Sequence, residues 1–247
     1  MSSELGAIHW FQKSADQGYA SAQIRLGFIY EDGSGVKQDY KKAVYWFQKS
    51  ADQGFASAQR KLGLFYQSGR GVQQNDKTAA YWYHKAADQG DVGSQYMLGL
   101  FYEYGDRVKQ NYKKAVYWYQ KSTDQGHASA QYKLGYMYLN GRGVQQNDKT
   151  AAYWFQKAAD QGYEDAQGSL GFMYLNGRGV QQNDKTAAYW YQKAADQGSA
   201  SAQGSLGFMY RSGRGVQQND KTATYWYQKA AGQGDTYAIN HLKHINK

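Results

Sequence analysis

One spacing constrains this chain more than any other feature. Tryptophan stands at Trp10, Trp46, Trp82, Trp118, Trp154, Trp190 and Trp226, 36 residues apart each time with no insertion. Leu-Gly keeps the same period from Leu26-Gly27 to Leu206-Gly207, and Gln-Gly closes each repeat from Gly18 to Gly234. A fixed period of about 20–50 residues marks a repeat architecture, in which each repeat buries its apolar face by stacking on its neighbours. Aromatic residues are 17% of the chain. That is enough for a core despite a mean hydropathy of -0.87, and it excludes a disordered chain, which would be poor in aromatics.

Each repeat reads as two helices. In the first complete repeat the spacing predicts one over residues 20–32, ASAQIRLGFIYED. Ala22, Leu26 and Tyr30 share a stripe, and Gly33 suits the left-handed position that ends the helix. A glycine-rich loop follows, GSGVKQ here and GRGVQQ in most repeats. The second helix is predicted over 40–53 with Asp39 as its cap, a place filled by Asn75, Asn147, Asn183 and Asn219 elsewhere. Ala43, Phe47 and Ser50 make its buried stripe beside Trp46, and Gly54 stops it.

The pattern A-x-x-L-G-x-x-Y-x-x-G-x-G-V, followed by D-x-x-x-A-x-x-W-[FY]-x-K-A-A-x-Q-G, resembles the Sel-1-like repeat. It covers nearly the whole chain. The resemblance implies an all-α fold, a right-handed α/α superhelix or solenoid of tetratricopeptide-like helix-turn-helix repeats, as a single domain over 1–247. Its parts would be a half repeat at 4–18, full repeats at 19–54, 55–90, 91–126, 127–162, 163–198 and 199–234, and a terminal helix at 235–247.

Residues 139–154 and 175–190 are the same sixteen residues, so the array has grown by copying and the informative positions are those that differ between copies. They fall on one face of the first helices. In order along the chain this face carries Ile24, Arg25 and Phe28; Arg60, Lys61 and Leu64; Tyr96, Met97 and Leu100; Tyr132, Lys133 and Tyr136; then Phe172 and Phe208. Gly168-Ser169 and Gly204-Ser205 make its second half smoother. By the resemblance, this face lines a concave partner-binding groove, aromatic and basic in its first half. Tyrosine and arginine are enriched at binding hot spots. The plain alternative is a solvated face under neutral drift.

No catalytic, cofactor or metal site is expected. The absence of cysteine removes thiolate sites and disulfide frameworks. Of His9, His84, His127, His241 and His244 only the last two are close, and they read as a solvated helix end. GRGVQQNDKT opens with Gly-x-Gly and ends in Lys-Thr, but it lacks the second glycine of a phosphate loop and recurs four times. The aspartate of AADQG sits at a helix C-terminus, where the dipole disfavours it; it has no firm role from sequence, and a bond to a neighbouring loop is one candidate. The net charge of +9 suits an acidic partner. Lys41, Lys42, Lys113 and Lys114 open second helices away from the aromatic face and form no dense basic stripe, so nucleic acid is not expected.

No apolar run approaches the roughly 20 residues that span a bilayer, and MSSELGAIHW lacks the regions of a signal peptide. A soluble protein is expected, cytoplasmic on the sequence as given, and periplasmic or secreted if a leader was removed. The resemblance implies a non-enzymatic bacterial adaptor that binds a protein or peptide. Two alternatives come with it: an immunity protein that neutralises a toxin such as a phospholipase, and a weak cell-wall or β-lactam hydrolase. The hydrolase branch is cysteine-rich, and this chain lacks every such cysteine.

Overall fold

The computed structural model describes residues 3–105 and 107–245. Among them are fourteen helices and no strand. In order these are α1 (Ser3–Asp16), α2 (Ala20–Asp32), α3 (Tyr40–Asp52), α4 (Ala56–Ser68), α5 (Asp76–Asp88), α6 (Val92–Tyr104) and α7 (Tyr112–Thr123). They continue as α8 (Ala128–Asn140), α9 (Asp148–Asp160), α10 (Glu164–Asn176), α11 (Asp184–Asp196), α12 (Ala200–Ser212), α13 (Asp220–Gly232) and α14 (Thr236–Ile245). Even-numbered helices are the first of their repeats and odd-numbered helices the second. The contacts group them into two compact bodies, residues 1–125 and 126–247. Within each body, helices adjacent in sequence pack on one another.

The local signals act as their chemistry requires. The Asp39 carboxylate accepts from the Lys42 N–H at 3.0 Å, and Asn75, Asn147, Asn183 and Asn219 cap α5, α9, α11 and α13 in the same way. Each cap satisfies an amide that the first turn of a helix leaves open. Gly33 closes α2 at φ 75°.

The tryptophans couple one repeat to the next. In the N-terminal body Trp46 packs with Ala15, Ala22 and Leu26 of the two preceding helices. Trp82 enters the cluster of Ala43, Phe47 and Leu62, and Trp118 that of Ala79, Tyr83 and Leu98. In the C-terminal body Trp190 packs with Phe155 and Leu170, and Trp226 with Tyr191 and Leu206. All five are 7–8% exposed, whereas Trp10, with no helix before it among the described residues, is 66% exposed. The Leu-Gly pair serves the contact inside each repeat. Leu62 is fully buried, and a Cβ on Gly63 would lie 2.8 Å from the ring of Tyr83. Only glycine lets the ring of the second helix lie against the first.

A ladder of glutamines runs alongside. Gln59, buried in α4, donates to the carbonyl of Ala51 at 3.2 Å and accepts from Gln89 at 2.8 Å. The same pairs recur as Gln53–Gln23 and Gln125–Gln95 in the N-terminal body. In the C-terminal body they are Gln161–Gln131, Gln197–Gln167 and Gln233–Gln203. The closing glutamine also reaches the glycine carbonyl that ended the previous repeat, as Gln197 does to Gly162 at 2.9 Å. The Gln of Gln-Gly is therefore a repeat-to-repeat fastener as well as a helix end.

One sequence reading changes. The aspartate of AADQG does not bond a neighbouring loop. In α3, α9 and α11 it accepts from the glutamine four residues before it on its own helix, as in Gln48–Asp52 at 2.7 Å and Gln192–Asp196 at 2.8 Å. The loop arginines pair with the first residue of the previous second helix: Arg178 with Asp148 at 2.8 Å and Arg214 with Asp184 at 2.9 Å. Both arginines hold their partner carboxyls below the usual carboxylate range. Where that first residue is Tyr40, Arg70 lies over its ring instead. Arg107 takes the place of Gly71 in the sequence, and it reaches Asp76 at 3.1 Å.

We expect Trp82→Ala to destabilise the protein by about 3–5 kcal/mol in denaturant melts, the cost of emptying a buried aromatic site. Trp10→Ala should change stability by less than about 0.5 kcal/mol, as a mostly exposed side chain does. Equal losses at the two positions would contradict the interlocking of repeats.

Candidate functional site

The varying positions of the first helices fall into two different settings. In the N-terminal body the structure engages the cations expected to line a groove. Lys61 sits in α4 with its ammonium 2.7 Å from the Glu31 carboxylate of α2, the two side chains 17% and 11% exposed. The same ammonium lies 4.8 Å over the Phe28 ring. Arg60 pairs with Asp91 at 3.3 Å. These charges are balanced within the fold, so the expected basic half-groove is much less basic than the sequence reads. Arg25 is exposed and lines a shallow cleft with Tyr19 and Ser21. Ile24, Phe28 and Met97 pack against core clusters, and Leu64, Tyr96 and Leu100 are half-buried.

One varying position has a structural reason of its own. Glu103 is 3% exposed, and the Tyr119 hydroxyl donates to it at 2.5 Å. Burial, then this hydrogen bond, pushes the Tyr119 phenol far above its ordinary range. One repeat earlier Tyr83 donates to Gln67 at 2.9 Å. Where the ring is Phe155, with no hydroxyl to satisfy, the corresponding residue is Leu139. The match is not general, since Tyr191 stands opposite Leu175 and Phe47 opposite Glu31.

In the C-terminal body the face opens. Helices α8, α10 and α12 frame a cleft of ≈ 340 Å³. Tyr132, Phe155 and Tyr191 supply aromatic surface, Gly168, Ser169 and Ser205 keep the walls low, and Phe172 and Asp165 stand at its edge. A Cβ added at Gly168 would meet nothing within 4 Å. A second depression shares Ser201 and Ser205 with the first and is lined by Leu175, Phe208, Asp235 and Tyr237. Tyr132 stacks loosely on Tyr136, Phe155 and Tyr163, at 5.2–6.5 Å between ring centroids. Lys133 is half-buried nearby, while Tyr136 is exposed. The cleft thus brings together Tyr132 and Phe172, with Phe208 in the adjoining depression, from the residues expected by sequence. It adds Asp165, Ser199, Ser201, Asp235 and Tyr237, which were not expected. Asp165 and Asp235 begin helices, so their sequence signal reads only as capping.

No group of acids, histidines or cysteines among the described residues could hold a metal ion, and the side chain of His244 lies outside them. Three of the other histidines have structural partners. His84 is 3.2 Å from the Tyr102 hydroxyl, His127 caps α8 through the Ala130 N–H, and His241 stacks on Tyr227 at 5.2 Å. Burial lowers the pKa of His84 and His127. Among the described residues no helix is long and apolar enough to cross a membrane.

Burial pushes the Tyr191 phenol of the cleft floor up to about 12, with a hydrogen bond from Ser205 offsetting part of the rise. A raised folded-state pKa leaves its contribution complete below pH 10 and removes it as pH climbs through 12. We expect stability to fall by about 2–3 kcal/mol over that window on account of Tyr191. Tyr191→Phe should flatten the alkaline decline by that amount in urea melts. An unchanged decline would mean that the ring ionises freely and is not buried.

The Sel1 repeat signature matches residues 4–19, 20–55, 56–91, 92–127, 128–163, 164–199 and 200–235. No curated protein sequence matches. Among solved structures, a protective antigen present in uropathogenic Escherichia coli strains, of the same repeat fold, is 38% identical with a TM-score of 0.94. The similarity covers 97% of this chain and 51% of that one, so the chain spans about half the length of this relative. A Sel1 repeat protein from Oxalobacter formigenes is 32% identical with a TM-score of 0.77, covering 87% of this chain and 86% of that one. The immunity protein PA5088 from Pseudomonas aeruginosa shares the fold at 19% identity and a TM-score of 0.51, covering 88% of this chain and 82% of that one. With seven consecutive signatures and two such relatives, this chain belongs to the Sel1 repeat family.

Proposed function

We propose that the chain is a non-enzymatic scaffold that holds a segment of a partner protein on the face of its first helices. The cleft of the C-terminal body is its anchor point. The observation that carries this reading is the open space at Gly168, where an added Cβ would meet nothing within 4 Å, beside half-buried Tyr132 and the buried rings of Phe155 and Tyr191. Concave, aromatic-floored sites with a few polar groups are where ligands seat. Asp165 and Asp235 give this anchor point an acidic edge, so a segment with an apolar anchor side chain and a nearby basic group fits it. The acidic partner suggested by the net charge fits this cleft poorly. The immunity-protein reading rests on likeness of fold alone, and no feature of the cleft favours it. The hydrolase reading has neither a nucleophile–base pair nor the cysteines of its branch behind it.

Gly168→Leu tests the reading without harming the fold. Replacing a helical glycine with leucine should stabilise α10 by up to about 1 kcal/mol, while the new side chain fills the cleft. We expect a partner captured by the wild-type protein to bind this variant at least about tenfold more weakly, a loss of roughly 1.4 kcal/mol. Undiminished binding to a stable Gly168→Leu protein would place the site elsewhere.

A further inference from the structure

The outer faces of the second helices carry a regular feature that the first-helix cleft does not use. In α5, Lys77, Tyr81 and Lys85 are spaced by four residues and so lie on one stripe, all three exposed. Lys185, Tyr189 and Lys193 do the same in α11, and α3, α7, α9 and α13 repeat the row. Each body therefore bears three parallel Lys–Tyr–Lys rows. The six tyrosines are 48–53% exposed. None of these twelve lysines is in an ion pair, and they outnumber the whole net charge of +9. The aspartate at the end of a row, such as Asp196, is taken by its own glutamine. Lys61 and Arg60 have their carboxylates, and these lysines have none.

We infer that this outer face is a second docking surface, and that its occupant is an acidic helix of a partner protein laid along a second helix. Three observations choose that occupant. The two lysines of a row are eight residues apart on one helix, about 12 Å. A second helix matches that distance with acidic side chains eight residues apart. Between them stands tyrosine, a residue enriched at protein interfaces, with a charged rim on either side. The tyrosine ring is also already occupied: the second lysine of each row lies 5.0–5.8 Å over it. The neighbouring tryptophan packs edge-on at 4.9–5.0 Å. A nucleic-acid base needs a free ring face to stack on, so the rows form a basic stripe that suits carboxylates better than bases. Each row offers one half-exposed tyrosine ring and no aliphatic side chain, a small apolar area for entering a lipid surface. This surface is independent of the first-helix cleft, and a chain that carries both can bridge two partners.

The test uses the full chain and fluorescently labelled probes in anisotropy titrations at low salt. One probe is an alanine-based helical peptide with glutamates eight residues apart and leucine midway. The other has the same composition scrambled. The ordered peptide should bind at least about tenfold tighter than the scrambled one and weaken as salt screens the contacts. The quadruple variant Lys149→Gln, Lys157→Gln, Lys185→Gln, Lys193→Gln, which removes two of the six rows and whose side chains touch no core, should lose about a third of the peptide bound at saturation with an unchanged melting temperature. Gly168→Leu should lose none. Equal binding of both peptides, or no loss in the quadruple variant, overturns the proposal. Tighter binding of a single-stranded oligothymidylate, of heparin or of phosphatidylserine vesicles at the same ionic strength also overturns it, and names the other class of partner.

Discussion

The contact that everything else depends on is the one between a repeat and its predecessor. No 36-residue repeat can enclose its own tryptophan. Trp82 is buried only because α4 and the repeat before it supply Leu62, Ala43 and Phe47. The same junction is closed by a buried amide, Gln59, which binds backwards to Ala51 and forwards to Gln89. Apolar area gives the junction its strength and is indifferent to direction. The amides are directional, and a buried amide left without partners costs about 1–3 kcal/mol. Together they fix one stacking register, and that register fixes which residues of the first helices share a face.

How much of this was legible varies with the range of the interaction. Helix limits, caps and the closing glycines were readable because they depend on residues three or four apart, such as Asp39 and Lys42. The buried tryptophans were readable from period alone. The second member of each long-range pair was not. Gln59 and Gln89 are 30 residues apart, and nothing in a repeated Gln says that its copy lies within reach. Lys61 reads as a free groove cation until Glu31, also 30 residues away, is found beside it. The lysine rows are hidden for a related reason. Lys41 and Lys113 read as helix openings, and their alignment with Tyr45 and Lys49, or Tyr117 and Lys121, belongs to the outer face of the folded helix.

The two candidate surfaces differ as their chemistry differs. The cleft of the C-terminal body is concave, half aromatic and edged by Asp165 and Asp235. The outer rows are exposed and carry uncompensated positive charge. Copying explains both. Residues in the junctions, such as the glutamines and Leu-Gly, hold the fold and recur unchanged, and so does the outer row, which sees no neighbour. The exposed face of the first helices varies instead: Arg60-Lys61, Tyr132-Lys133 and Gly168-Ser169 occupy equivalent places in different repeats.

The glutamine ladder joins one repeat to the next, and a double-mutant cycle on Gln167 and Gln197 tests that coupling most directly. Their side chains meet at 2.8 Å across 30 residues. Urea melts of Gln167→Ala, Gln197→Ala and the double variant should give a coupling energy of about 0.5–1.5 kcal/mol, the net worth of such a hydrogen bond. A coupling below about 0.3 kcal/mol, within the scatter of independent sites, would mean that the ladder only accompanies a junction held by apolar packing.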